Sequence, residues 1–138
     1  MKKKILILCT GNSCRSQMAE GFFKKHLGEK AEVVSAGTEA HGLNPRAVAA
    51  MREIGIDISK NESKTFDRFL KEHFDFVITV CDDAKENCPF FPNALHRIHK
   101  NFPDPAKATG TDEERRNSFS EVRNEIKKFS IEFASLHF

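Results

Sequence analysis

The chain has 138 residues, 39% hydrophobic and 30% charged, with 5 prolines and a formal net charge of +2. That length fits a single domain, residues 1–138, able to bury roughly two thirds of its unfolded surface, and the balance excludes a disordered or membrane protein. The charges are interspersed rather than gathered in a basic block, so neither nucleic acid nor an acidic membrane is the expected partner, which leaves small anions.

In chain order, three lysines precede the apolar run Ile5 to Cys9. That run is shorter than a signal-peptide core and no small-residue cleavage site follows it. No apolar stretch approaches the roughly 20 residues of a membrane span. A cytoplasmic protein is expected, and there four cysteines point to chemistry or metal binding more than to structural staples. "KILILC" (Lys4 to Cys9) reads as a strand buried on both faces of a parallel sheet. Met18, Ala19, Phe22, Phe23 and Leu27 then recur at helical spacing, with Gly28 as a stop. "EVVSAG" is a second strand, and Asn44 with Pro45 caps and begins a helix that turns Val48, Met51 and Ile54 inward. "TFDRFLKEHF" predicts a third helix, "DFVITV" (Asp75 to Val80) a third strand, and "ALHRIH" a weaker fourth. Phe119, Val122, Ile126, Phe129 and Phe133 mark a carboxy-terminal helix, opened by a capping box of Thr111 and Glu114. With 13 Phe and neither Trp nor Tyr, the interior is filled with rings that carry no polar handle. Alternating strands and helices predict a three-layer α/β sandwich, a four-stranded parallel sheet with helices on both faces, whose ligands sit beyond the carboxyl ends of the strands at a switch point.

This rule brings the reactive residues together. Cys9 ends the first strand, Cys81 follows the third, and Asp104 lies in the loop after the fourth. The loop "CTGNSCR" from Cys9 to Arg15 enters a helix whose first N–H groups have no internal partners and so face an anion. Gly11 and Asn12 tolerate the positive φ that a nest of N–H groups requires. Arg15 adds a planar fork suited to two oxygens of a tetrahedral oxyanion. The same surroundings favour a Cys9 thiolate, and a fall of two pKa units needs roughly 2.7 kcal/mol of preferential stabilisation. A structural cysteine and a surface arginine in a tight turn fit the bare C-x5-R spacing equally well.

Five segments in order, "CTGNSCRSQMAEG" (Cys9 to Gly21), "SAGTEAHGLNP" (Ser35 to Pro45), "GIDIS" (Gly55 to Ser59), "VCDDAKENCP" (Val80 to Pro89) and "DPA" (Asp104 to Ala106), resemble a thioredoxin-coupled arsenate reductase. That family shares the fold of the low-molecular-weight tyrosine phosphatases. The resemblance implies that Cys9 attacks arsenate held by Thr10, Gly11, Asn12, Ser13, Cys14 and Arg15, with Ser16 steadying the thiolate and Asp104 protonating the departing oxygen. Phosphate or sulfate would compete for the same loop. The resemblance further implies that Cys81 attacks the adduct to give a transient Cys9–Cys81 disulfide, and that Cys88 converts it to a final Cys81–Cys88 disulfide reduced by thioredoxin. Glutaredoxin or mycothiol systems are alternative donors. Cys14 has no redox role in this scheme and is read as a loop-packing residue. No bound cofactor or metal is implied, and a monomer is expected.

A helical "CDDAKENC" would separate its terminal Cα atoms by about 10 Å, beyond the roughly 7 Å of a disulfide, so Asp82 to Asn87 is expected to unwind on oxidation. Two other readings stand beside this one. A phosphatase would use the same loop and acid through a phosphocysteine, leaving Cys81 and Cys88 unexplained. A zinc or redox-sensing module could recruit the cysteines with His96 and His99, although the cysteine spacings lack the tight pairs of structural zinc sites. Two departures from the family bear on the site: Pro103 directly precedes Asp104, and Lys64 stands where potassium-binding relatives carry an acid. Asn12, Glu20 and Ser35 match the other positions, Glu62 stands where those relatives carry a hydroxyl, and the lysine predicts activity independent of potassium.

Overall fold

In the computed structural model, which describes residues 2–82 and 94–138, strand β1 (Lys3–Cys9) carries the first apolar run. Its residues Ile5, Leu6, Ile7, Leu8 and Cys9 are all buried. Successive side chains of a strand point to opposite faces, so an unbroken buried run requires cover on both faces of the sheet. Helix α1 (Arg15–Leu27) follows and stops at Gly28, whose φ of 55° suits glycine. Strand β2 (Ala31–Gly37) then pairs in parallel with β1, from Lys3 opposite Ala31 to Cys9 opposite Gly37. Helix α2 (Pro45–Arg52) opens as the Asn-Pro pair predicts, with Asn44 Oδ1 accepting the Arg46 N–H at 2.8 Å.

Strands β3 (Phe74–Thr79) and β4 (Ala94–His99) complete a four-stranded parallel sheet in the order β2-β1-β3-β4. The chain moves outward from β1 to β2 and then crosses back past β1 to β3. That reversal puts the switch point at the carboxyl end of β1, where α/β sheets bind ligands. Helices pack on the sheet, as the strand pattern anticipates.

The last helix, α3 (Asp112–His137), starts at the predicted capping box, with the Glu114 N–H donating to Thr111 Oγ1 at 3.1 Å. Its Phe133 ring lies 5.1 Å from that of Phe23 on α1 and 5.0 Å from that of Phe76 on β3. One phenylalanine therefore locks both helices to the sheet, and such aromatic pairs add to the area they bury. No helix among the described residues is long and apolar enough to cross a membrane.

One predicted element is different. The segment 65–74 forms only a 3-10 turn, Phe66–Phe69, and Phe74 already belongs to β3. Thr65 is held extended by a parallel bridge to Gly37, and Phe74 is fixed opposite Ala94. Phe69 then meets Phe74 edge-on at 6.0 Å, a contact between positions five apart that a helix would not bring face to face.

Replacing Thr111 by Ala removes one half of the capping box and is expected to cost about 1 kcal/mol. The check is a lower urea midpoint with an unchanged denaturant slope.

Candidate active site

The loop between β1 and α1 is held from outside by its carbonyls. Thr38 N donates to Cys9 O at 3.2 Å, Glu39 N to Thr10 O at 2.9 Å, His41 N to Gly11 O at 2.9 Å and Asn44 N to Ser13 O at 3.1 Å. The Gln17 amide reaches Asn12 O at 3.2 Å, and Met18 N reaches Cys14 O at 2.8 Å. The described peptides are all trans, and across a trans peptide the N–H opposes the C=O. Turning the carbonyls of residues 9 to 14 outward therefore turns the N–H groups of Thr10 to Arg15 toward the space the loop encloses, an arrangement with donors for a tetrahedral oxyanion.

Two glycines make this geometry possible. A Cβ on Gly37 would sit 2.6 Å from Thr10 O and 2.8 Å from Asn12 N, so the end of β2 approaches the loop only without a side chain. A Cβ on Gly11 would lie 2.8 Å from Cγ of the His41 ring. Gly11 is thus required for close packing, whereas the positive φ anticipated for both residues falls, within the loop, on Asn12 alone, at 47°.

Asn12 is fully buried, and its amide makes four hydrogen bonds. Nδ2 donates to Ser16 Oγ and Ser35 Oγ, both at 2.9 Å, while Oδ1 accepts from Lys64 N at 2.9 Å and Gln17 Nε2 at 3.0 Å. Ser35 passes its proton side to Glu20 Oε1 at 2.7 Å, and Lys24 Nζ holds the other Glu20 oxygen at 2.8 Å. Burial lowers the pKa of the Lys64 ammonium, and Glu20 and Glu62 act against that shift. Lys64 Nζ also donates to Glu62 O at 3.1 Å, which places a cationic side chain beside the carboxylates of this network.

A cleft of about 530 Å³ gathers Cys9, Cys14, Arg15, Cys81 and Asp104, the convergence read from the strand ends. Arg15 Nη1 donates to Phe102 O at 3.1 Å and Nη2 stands 3.7 Å from Asp104 Oδ2. Its Nε is buried with no hydrogen-bond partner among the described residues, a donor whose burial is costly until an acceptor arrives. Asp104 reaches the cleft despite Pro103, because its Oδ1 caps the 3-10 turn Pro105–Lys107 through Ala106 N at 3.0 Å. The same oxygen lies 3.7 Å from the Cys14 thiol, which points its proton there. Cys14 therefore does more than pack the loop, since it touches the only carboxylate beside Arg15 among these five residues. Burial, and then the charge of Asp104, push the Cys14 thiol up to about 11.

Cys9, Cys14 and Cys81 are buried, and none of them is in a disulfide. Cys81 Sγ is 3.3 Å from Thr10 Oγ1 and also hydrogen-bonds the Cys9 side chain. That hydrogen bond and burial push the Cys9 thiol up, while Arg15 pulls it down. The loop alone predicted a lowered Cys9, and the structure reverses that expectation. Ser16 Oγ accepts from Asn12, which leaves its proton for another acceptor. Cys88 lies outside the described residues, as does the expected opening of the segment beyond Asp82.

Of the residues proposed above as zinc ligands, His96 stacks on Phe76 at 5.2 Å, and His99 bonds Thr79 and Asp82. Sequence reasoning considered His99 only as a zinc ligand and gave Asn101 no role, yet Asn101 lines the cleft and His99 sits at its edge through Asp82. The signal was available, because His99 ends a predicted strand and Asn101 follows it.

Residues 4–136 match the model of the low molecular weight phosphotyrosine protein phosphatases. The chain belongs to that family. Its relatives include proteins named arsenate reductase from Halalkalibacterium halodurans, 56% identical over 96% of both chains, and from Bacillus subtilis, 53% identical over 97% of both. A solved arsenate reductase in the phosphate binding state superimposes with a TM-score of 0.82 at 33% identity, covering 96% of this chain and 97% of that one. Vibrio vulnificus Wzb in complex with benzylphosphonate shares the fold, with a TM-score of 0.81 at 22% identity over 98% and 99% of the two chains.

If Cys81 is what holds the Cys9 thiol up, Cys81→Ala lowers its pKa. Alkylation of Cys9 by iodoacetamide should then be faster at neutral pH, with the midpoint of its pH–rate curve moved downward. An unmoved midpoint would assign the effect to burial alone.

Proposed function

We propose that this protein reduces arsenate to arsenite through Cys9, Cys81 and Cys88, with thioredoxin reducing the final disulfide. The observation that carries the reading is the approach of a second thiol to the nucleophile: Cys81 hydrogen-bonds Cys9 inside the anion cleft. A phosphatase of this fold needs the loop, the arginine and the acid, but gives a second thiol at the nucleophile nothing to do. The arsenate reductases among the relatives, at 53 to 58% identity, and the solved structures of such enzymes in reduced and oxidized states support the same reading.

Hydrogen arsenate enters the cradle of N–H groups from Thr10 to Arg15, and Arg15 Nε gains its missing acceptor. Cys9 sulfur attacks arsenic while one oxygen departs as water, taking its protons from the thiol and from the oxyanion by way of Asp104. The product is a Cys9 thioarsenate. Ser16, still able to donate, and Arg15 stabilise the sulfur as it loses its proton. Cys81 sulfur then attacks Cys9 sulfur. The S–As bond breaks with both electrons going to arsenic, arsenate(V) becomes arsenite(III), and a Cys9–Cys81 disulfide forms. Cys88 attacks Cys81 sulfur and expels Cys9 as a thiol, leaving Cys81–Cys88 for the two electrons of thioredoxin. Effective concentrations available to such placed groups, up to 10⁵ M and above, explain why the second thiol is built into the cleft rather than supplied from solution.

The phosphatase reading keeps one prediction of its own. Because phosphocysteine chemistry uses Cys9, Arg15 and Asp104 but not Cys81, Cys81→Ser should retain whatever p-nitrophenyl phosphate turnover the wild type has while losing arsenate reduction. Loss of both would contradict this division of labour.

The deciding assay is arsenate-dependent NADPH oxidation with thioredoxin and its reductase. Cys9→Ser and Cys81→Ser should abolish it, and Cys88→Ser should release one equivalent of arsenite and stop. Failure of the wild type to reduce arsenate with any thiol donor would overturn the proposal. With Lys64 standing where potassium-binding relatives carry an acid, kcat/KM should be the same in potassium and sodium buffers, and a strong rise with potassium would refute that.

A further inference from the structure

The proposed cascade leaves unexplained what holds Cys81 against Cys9. Backbone pairing secures the approach: Val80 N donates to Leu8 O at 2.9 Å and Phe102 N to Val80 O at 3.0 Å. The strand β3 ends at Thr79, so Cys81 lies beyond the regular ladder. The next residue is fastened by side chains instead. Asp82 Oδ1 is 2.7 Å from His99 Nε2, His99 Nδ1 is 2.7 Å from Thr79 Oγ1, and Asp82 N donates to Asn101 Oδ1 at 3.1 Å.

A carboxylate only accepts, so His99 Nε2 carries a proton toward Asp82, and Nδ1 is engaged by the Thr79 hydroxyl. The imidazole is thereby saturated on both sides and takes no part in proton transfer at the cleft. It is also mostly buried, with its side chain 23% exposed, whereas Asp82 is 69% exposed. An exposed ion pair alone contributes little. This one is anchored at the histidine end by packing and by Thr79, and its register is repeated by Asn101 on the backbone.

The geometry points to His99 as a positioning residue for the second thiol. Through Asp82 it pins the backbone immediately after Cys81 to the ends of β3 and β4, and so keeps Cys81 Sγ facing Cys9. A displacement near 1 Å of a reacting group costs on the order of 100-fold in rate, so a latch one residue from the sulfur has direct kinetic leverage. The inference rests on the reading of Cys81 as the thiol that resolves the Cys9 adduct, but the juxtaposition of the two sulfurs can be measured without arsenate.

The test uses the full chain carrying Cys88→Ser, so that the Cys9–Cys81 disulfide cannot be passed on. Diamide, a two-electron oxidant, takes two electrons and two protons from the thiol pair, and peptide mass mapping follows the Cys9–Cys81 bond. His99→Ala in that background should form the bond at least 10-fold more slowly, while inorganic phosphate, titrated by amide shifts, binds the loop within two-fold of the parent. His99→Gln, whose amide can still donate toward Asp82, should recover part of the rate, and Asp82→Asn should fall between. An unchanged bond-forming rate in His99→Ala overturns the inference, as does a parallel loss of phosphate binding, which would make His99 a support of the whole cleft. A His99-dependent bond rate in a protein that fails to reduce arsenate would uphold the latch and sink the proposed function instead.

Discussion

A single buried amide holds the candidate site together. Asn12 adopts a backbone conformation that few residues other than glycine accept, and its side chain offers two donors and two acceptor positions, all four engaged. Through them the loop is joined to the first turn of α1, to β2 and to the segment at Lys64. Because a buried polar group left unpaired costs about 1 to 3 kcal/mol, the network allows one loop conformation and penalises the rest. The outward carbonyls of residues 9 to 14 follow from that conformation, and so do the inward N–H groups. Gly37 and Gly11 belong to the same constraint, because they permit the backbone of β2 and the ring of His41 to close on a loop that Asn12 has shaped.

The electrostatics of the cleft set opposing influences on one sulfur. Cys9 is held protonated by Cys81 and by burial against the pull of Arg15. Arg15 meanwhile divides its donors between Phe102 O and Asp104 and keeps Nε unused. The Cys9 thiol is therefore masked by a second thiol of the same cleft. Cys14 extends this pattern to the acid, since its proton points at Asp104 from inside the loop.

The strands, the three long helices and the meeting of Cys9, Cys81 and Asp104 could all be read from the sequence. Each is announced by a local signal of the right period: a continuous apolar run for β1, Asn44-Pro45 for α2, and Thr111 with Glu114 for α3. The segment 65–74 misleads because its apolar residues also suit a helical period, and only the pairing of Thr65 with Gly37 and of Phe74 with Ala94 decides against it. The masking of Cys9 was illegible for a related reason. A C-x5-R loop announces a lowered thiol, but the opposing hydrogen bond comes from a residue 72 positions away. Gly11 was given the right importance for the wrong reason, since what it avoids is a ring rather than a forbidden φ. The roles of Ser16 and Cys88 draw on the resemblance to arsenate reductases rather than on any pattern of spacing.

The parallel pairing of β1 with β3 sets Leu8 opposite Thr79, so Cys9 at the end of β1 and Cys81, two residues past β3, follow that pair. The sheet thereby acts as a ruler for the approach of the two thiols. Deleting one residue within β3 would leave the anion loop, its arginine and its acid untouched, yet shift the second sulfur by a strand step of about 3.3 Å and turn it to the opposite face of the sheet. Strand register is in that sense a constraint on sulfur chemistry, so that the same core which accounts for stability also decides which two thiols can meet.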